Sequence, residues 1–111
     1  MNKQTLVEKI LEATTALEAA ELEAVDAEVR LLRAKEALRR AEDQILMGGK
    51  IEGKNERTRE AHLAELTGRE LDEVAALRVN AACAGTALRV QRERLATWRA
   101  VAELVAGRDK A

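Results

Sequence analysis

The sequence predicts an all-α fold: an antiparallel coiled-coil helical hairpin with a short helix in the connection, packed as a dimeric helical bundle. The 111 residues contain no proline and one aromatic residue, and 35% of them are charged, a composition typical of long helices and not of sheets. Apolar residues recur at heptad spacing over two long segments, along which charge is segregated. The length fits a single helical domain over residues 1–111.

The first long helix is predicted over residues 2–47. Apolar residues follow one another at intervals that alternate between three and four, which is the spacing of a coiled-coil seam. The pattern stops at Gly48 and Gly49, because glycine readily adopts the left-handed conformation that closes a helix. The seam of this helix consists of Leu6, Ile10, Ala13, Leu17, Ala20, Ala24, Ala27, Leu31, Ala34, Leu38, Ala41 and Ile45.

A turn at 48–55, a short helix at 56–66 and a second long helix at 68–106 follow. Asn55 can cap the short helix. The segment from Thr67 to Glu70 has the spacing of a capping box, and Gly107 is expected to end the last helix. The seam of this helix consists of Val74, Leu77, Ala81, Ala84, Leu88, Gln91, Leu95, Trp98, Ala102 and Val105, with Trp98 expected to fill space opposite small residues such as Ala13.

Charge predicts how the two long helices pair. Residues 1–29 carry a net charge of −5 and residues 30–59 of +4, whereas residues 60–77 carry −4 and residues 78–111 carry +4. Antiparallel pairing places each acidic block beside a basic one. Single exposed ion pairs contribute only about 0–1 kcal/mol, but the opposite orientation would juxtapose like charges along both helices.

Apolar residues outside the two seams form a candidate self-association stripe. Such residual apolar surface favours a second copy of the chain, as a homodimer or tetramer, or another protein as the partner. The alternative is that the short helix folds back and covers part of the stripe. The stripe consists of Leu11, Leu22, Val25, Val29, Leu32, Val79, Cys83 and Val90.

The residues that usually carry catalysis are sparse. The segment from Gly48 to Lys54 has the glycine and lysine positions of a phosphate-binding loop, but a helix precedes it and Asn55 replaces the hydroxyl that would bind magnesium. His62 is the only histidine, Cys83 the only cysteine, and serine is absent. His62 is expected on the surface of the short helix, and Cys83 as a packing residue. We therefore expect no catalytic, cofactor-binding or metal site, and a protein that is not an enzyme.

The turn is a candidate partner-binding surface. Ile51 is an apolar residue in a polar loop, and the seams do not require it. The alternative function is accessory nucleic-acid binding by the basic residues of the turn, although acidic residues are interspersed among them and the net charge is −1. The candidate turn residues are Lys50, Ile51, Lys54, Asn55, Arg57 and Arg59.

The chain has the features expected of a cytoplasmic protein. Charged residues interrupt the first twenty positions, so no signal-peptide core is predicted. No uncharged run approaches the roughly 20 residues that span a bilayer, which predicts no membrane association. A single cysteine fits a reducing compartment.

Residues 45–66, which include the run Gly-Lys-Ile-Glu-Gly-Lys-Asn-Glu-Arg and end before a Thr cap, resemble small uncharacterised helical proteins encoded in bacteriophage and prophage regions. The resemblance covers about a fifth of the chain. It implies an origin in a phage or mobile element and a role near phage DNA metabolism or virion assembly. It supplies no catalytic or binding residues.

Overall fold

A computed structural model describes residues 1–49 and 51–110, with the backbone alone at 109 and 110. These residues form three α-helices, α1 (Lys3–Met47), α2 (Glu56–Leu66) and α3 (Gly68–Lys110), and no strand occurs among them. The predicted all-α class is therefore confirmed.

The chain divides into two compact units. One combines Met1–Asp26 with Ala82–Ala111, and the other is the continuous stretch Ala27–Ala81. The first unit pairs the start of α1 with the end of α3. The second contains the end of α1, α2 and the start of α3. Within each unit the two long helices are thus antiparallel, which fits a helical hairpin and agrees with the charge pattern of the sequence.

The core of the second unit is built from the predicted seams. Leu31, Ala34 and Val74 are buried, and Leu38, Leu77 and Ala81 pack against them. The alanines of this cluster are small enough to let the helices approach closely, so that the leucine and valine side chains fill the remaining space between α1 and α3.

The first unit follows the same plan. Its buried apolar residues are Leu6 and Ala13 on α1 and Ala84 and Leu95 on α3, all four of them seam residues. Trp98 is half-buried and lines one groove together with Ala13. The expected position of Trp98 opposite the small residues of α1 is therefore confirmed.

Local hydrogen bonds explain where α1 and α2 begin. The side chain of Asn2 accepts a hydrogen bond from the backbone N–H of Thr5 at 2.7 Å and so satisfies one free donor of α1. Asn55 does the same for α2, since its side chain accepts from the N–H of Thr58 at 2.9 Å while the Thr58 hydroxyl accepts from the N–H of Asn55. The N-cap predicted at Asn55 is confirmed.

The boundary between α2 and α3 differs from the prediction. The hydroxyl of Thr67 donates to the carbonyl of Leu63 at 2.8 Å, so this buried side chain completes the last turn of α2 and does not form the predicted capping box with Glu70. The backbone of Thr67, at φ −107° and ψ 19°, separates the two helices. Its carbonyl accepts the first hydrogen bond of α3, from the N–H of Leu71 at 3.0 Å.

The end of α3 also differs, because the helix continues to Lys110 and does not stop at Ala106. Gly107 does not have a positive φ, so it provides no left-handed helix end. A glycine inside a helix costs only about 1 kcal/mol relative to alanine, and α3 continues through this one.

Gln91 is the polar member of the α3 seam, and its Oε1 atom is buried without a hydrogen-bond partner among the described residues. We expect Gln91→Met, which keeps the length and removes the unpaired oxygen, to raise the free energy of unfolding by about 1–2 kcal/mol. Gln44 is exposed on α1, and Gln44→Met should change it by less than about 0.5 kcal/mol. Urea denaturation at one protein concentration measures both, and equal stabilities for the two variants would contradict the prediction.

Candidate functional site

The predicted stripe is exposed along α1. Leu22 retains 73% of its surface, Val25 63% and Leu32 58%, and Leu11 and Val29 are exposed as well. At 3.6 residues per turn, these positions lie roughly 150° round the helix from the seam. The stripe of α1 is therefore a separate apolar face that points away from α3.

The stripe members on α3 are also exposed and lie away from the seam of their helix. Val79, Cys83 and Val90 are exposed and lie roughly 150° from the seam of α3. Cys83, which the sequence predicts as a packing residue, is exposed in the part of the chain that the structure describes. Val90 also lines the groove that Ala13 and Trp98 share, so this member of the stripe borders α1.

The short helix does not cover the stripe members of its own unit. Val29, Leu32 and Val79 are all exposed in the unit that contains α2. Instead, the partly buried Leu63 of α2 lines a cleft with Leu71 of α3. The interpretation in which α2 folds back over the stripe is therefore wrong for these three residues.

Some of the candidate partner-binding residues of the turn have structural roles within the chain. Lys50 lies outside the described residues. The side chain of Asn55 caps α2. Ile51 is half-buried and lines a cleft together with Leu46 of α1 and Leu63 of α2, so that it has an apolar environment within the chain.

The exposed charges of the turn are mixed in sign. Lys54 and Arg59 line the same cleft as Glu56 and Glu60, and Arg57 is exposed on the first turn of α2. Alternating signs over so short a distance leave no continuous basic patch for a phosphate backbone to follow among the described residues.

The glycines of the turn have conformational reasons to be there. Gly49 has φ +65° at the end of α1, where a residue with a side chain would be strained. Gly53 has φ +152°, and a Cβ atom placed on it would lie 2.5 Å from Oγ1 of Thr58 and 2.9 Å from the backbone nitrogen of Arg59. The two glycines that resemble those of a phosphate-binding loop therefore have structural roles. Gly49 ends α1, and Gly53 allows the chain to pass close to α2.

A hydrogen bond without a sequence signal ties the turn to α2. The backbone N–H of Glu52 donates to Nδ1 of His62 at 2.9 Å. The sequence predicts His62 on the surface of the short helix, but the side chain is half-buried and accepts this hydrogen bond. No spacing rule predicts this contact, because its partners are ten residues apart and meet only once the turn has formed.

Residues suited to metal binding do not converge within the part of the chain that the structure describes, where no group of three or more His, Cys, Asp or Glu side chains could hold an ion. Within the same residues, no helix is long and apolar enough to cross a membrane. The described features of the site are thus apolar faces, helix caps and a turn.

Taken together, the fold and the exposed stripe define an all-α protein of paired antiparallel helices. Comparison with protein families, with curated proteins and with solved structures finds no match to this chain. The resemblance of residues 45–66 to phage-encoded proteins therefore remains an expectation of the sequence alone.

We expect Gly53→Ala to destabilise the turn and α2 by about 1–3 kcal/mol, because the new Cβ would collide with the backbone of Arg59. Gly85 lies inside α3, and a Cβ atom placed on it would have nothing within 4 Å, so that Gly85→Ala should stabilise the protein by up to about 1 kcal/mol. Amide hydrogen exchange over residues 56–66 and thermal unfolding measure the two effects. Equal protection of α2 in both variants would show that the turn tolerates the methyl group.

The bond from Glu52 to His62 can be tested with two substitutions of the histidine. His62→Leu removes the acceptor and should raise the exchange rate of the Glu52 amide about fivefold, as expected for the loss of a hydrogen bond worth about 1 kcal/mol. His62→Asn places an oxygen close to the position of Nδ1 and should leave the rate near that of the unaltered protein. Hydrogen exchange followed by NMR distinguishes the variants, and the same rate in all three proteins would rule out this bond in solution.

Proposed function

We propose that this chain is a non-enzymatic coiled-coil protein that self-associates and acts as a structural or protein-interaction module, with the stripe of α1 as its principal contact surface. The observation that carries the proposal is the complete separation of the two apolar faces. The buried apolar residues all belong to the seams, whereas Leu11, Leu22, Val25, Val29 and Leu32 are exposed.

The spacing of the stripe suits another helix. Leu22, Val25, Val29 and Leu32 follow one another at intervals of three, four and three, which is the spacing that lets side chains interdigitate across a pair of helices. Fully burying one Leu or Val side chain contributes about 1.5–3 kcal/mol. A pair of copies would bury eight such side chains, a gain comparable to the cost of association, about 4–15 kcal/mol.

The α1 stripe is preferred over that of α3 because of side-chain size. The α3 members are Cys83 and two valines, Val79 and Val90. The α1 members include three leucines. Area buried per residue, and with it the hydrophobic gain, is therefore greater on α1.

The turn is not proposed as the partner surface. Asn55 caps α2, Gly53 allows the turn to approach α2 closely, and Ile51 is half-buried. Each of these residues therefore has a structural role that does not require a binding partner. The mixed charges around Lys54 and Arg59 likewise do not favour nucleic-acid binding over self-association.

We expect the protein to have twice the mass of one chain in light scattering coupled to size exclusion, at low and at moderate salt. The double variant Val25→Ser with Leu32→Ser should be a monomer, because it removes apolar area from the centre of the stripe and leaves the seams intact. The matched control is Leu66→Ser with Leu104→Ser, which changes two exposed leucines outside the stripe and should remain a dimer.

Circular dichroism of each variant shows whether α1 and α3 remain helical. A helical monomer for the unaltered chain at all concentrations would contradict self-association. A dimer that survives both stripe substitutions would place the interface elsewhere, with the stripe of α3 as the next surface to change. A dimer that dissociates only at raised salt would assign the interaction to charge and not to the apolar face.

A further inference from the structure

We propose that His62 makes the attachment of the turn to α2 sensitive to pH. When its imidazole ring takes up a proton, residues 51–54 detach from α2 and the cleft that Ile51 lines becomes open. The observation that carries the proposal is the hydrogen bond from the backbone N–H of Glu52 to Nδ1 of His62, at 2.9 Å. All the residues involved belong to the unit Ala27–Ala81, and the mechanism does not require a second copy of the chain.

The acceptor in this bond exists only in the neutral ring. Neutral imidazole has one nitrogen that carries a proton and one with a free lone pair. The lone pair must lie on Nδ1 of His62, because the backbone N–H of Glu52 is the donor. In the protonated ring both nitrogens carry protons. The N–H of Glu52 would then point at another N–H group, so protonation breaks the bond.

The bond is the main polar attachment of the turn to α2. Within the described residues, no other hydrogen bond joins residues 51–54 to α2. The remaining contacts are packing contacts, since Ile51 is half-buried in an apolar cleft and Gly53 passes close to the first turn of α2. Loss of the bond therefore loosens the turn, while α2 itself keeps its cap at Asn55.

The direction of the pH dependence follows from the acceptor. The neutral ring accepts the bond and the protonated ring does not, so the turn is attached at higher pH and detaches as the pH falls. Histidine is the side-chain type whose charge ordinarily changes between pH 8 and pH 5, and carboxylates take up protons at lower pH. Since His62 is the only histidine of the chain, a change of the turn within this range is assigned to it.

The surroundings of His62 allow a charged ring to form without unfolding. The side chain is only half-buried, and the charged groups on the neighbouring elements have both signs. On α3, Arg69 and Glu70 line a groove with α1 that contains no residue of α2. Because exposed charges are screened by water and salt, loss of the acceptor is the main effect of protonation. The neighbouring charged groups are Glu42 of α1, Glu52 and Lys54 of the turn, and Glu56, Arg57, Arg59, Glu60 and Glu65 of α2.

Protection of the Glu52 amide in the full chain tests the proposal. NMR measures its exchange with water at pH 8 and at about pH 5.5, corrected for the intrinsic rate at each pH. We expect the protection to fall about fivefold at the lower pH, the factor for loss of a neutral hydrogen bond. His62→Asn has an oxygen acceptor that takes up no proton in this range, so its amide should remain protected at both values. In His62→Leu the amide should be unprotected at both.

Two results would overturn the proposal. One is constant protection of the Glu52 amide in the unaltered protein while the ring signals of His62 show that the ring has become protonated. The other is an equal fall of protection in His62→Asn, which would assign the pH dependence to another group. Circular dichroism of the three proteins should be alike at both pH values, because Asn55 caps α2 in each of them.

The tautomer of the ring provides an independent test. At the higher pH, the nitrogen chemical shifts of His62 should show a proton on Nε2 and none on Nδ1, because Nδ1 accepts the bond. The methyl signals of Ile51 should shift with the same midpoint as the ring signals, since the cleft opens when the turn detaches. A proton on Nδ1, or Ile51 signals that stay constant while the ring is protonated, would contradict the proposal.

Discussion

The close contact between α1 and α3 determines the rest of the structure. Within each unit, alanines such as Ala13, Ala34 and Ala84 are buried between larger seam residues, which permits a narrow separation of the helices. A narrow two-helix interface buries one face of each helix and no more. The leucines and valines on the far face of α1 therefore have no counterpart among the described residues and remain exposed as the stripe.

The seams could be predicted from the sequence because burial in a two-helix pair depends only on the heptad position. Leu31 and Leu32 are neighbours of the same residue type, yet Leu31 is 7% exposed and Leu32 58%. Composition does not distinguish them. The alternating intervals of three and four do, since they place Leu31 in the seam and Leu32 one residue further on, roughly 100° round the helix from Leu31 and outside the seam.

Contacts that depend on a particular backbone geometry could not be predicted in the same way. Thr67 has both a possible N-cap role for α3 and a possible bond back to α2, and the structure uses the second. The bond from Glu52 to His62 requires the turn to bring together residues ten positions apart. Neither hydrogen bond can be recognised from the spacing of residues in the sequence, because each depends on the path of the chain between Met47 and Gly68.

The charge pattern along α1 agrees with the antiparallel pairing of α1 and α3 in both units. Segregation of acidic and basic residues along a helix favours any antiparallel neighbour that carries the same pattern in reverse. The end of α3 is such a neighbour for the start of α1 in the unit that combines them. The start of α3 is such a neighbour for the end of α1 in the other unit, because residues 30–59 carry a net charge of +4 and residues 60–77 of −4. One sequence feature thus favours the antiparallel arrangement in both units.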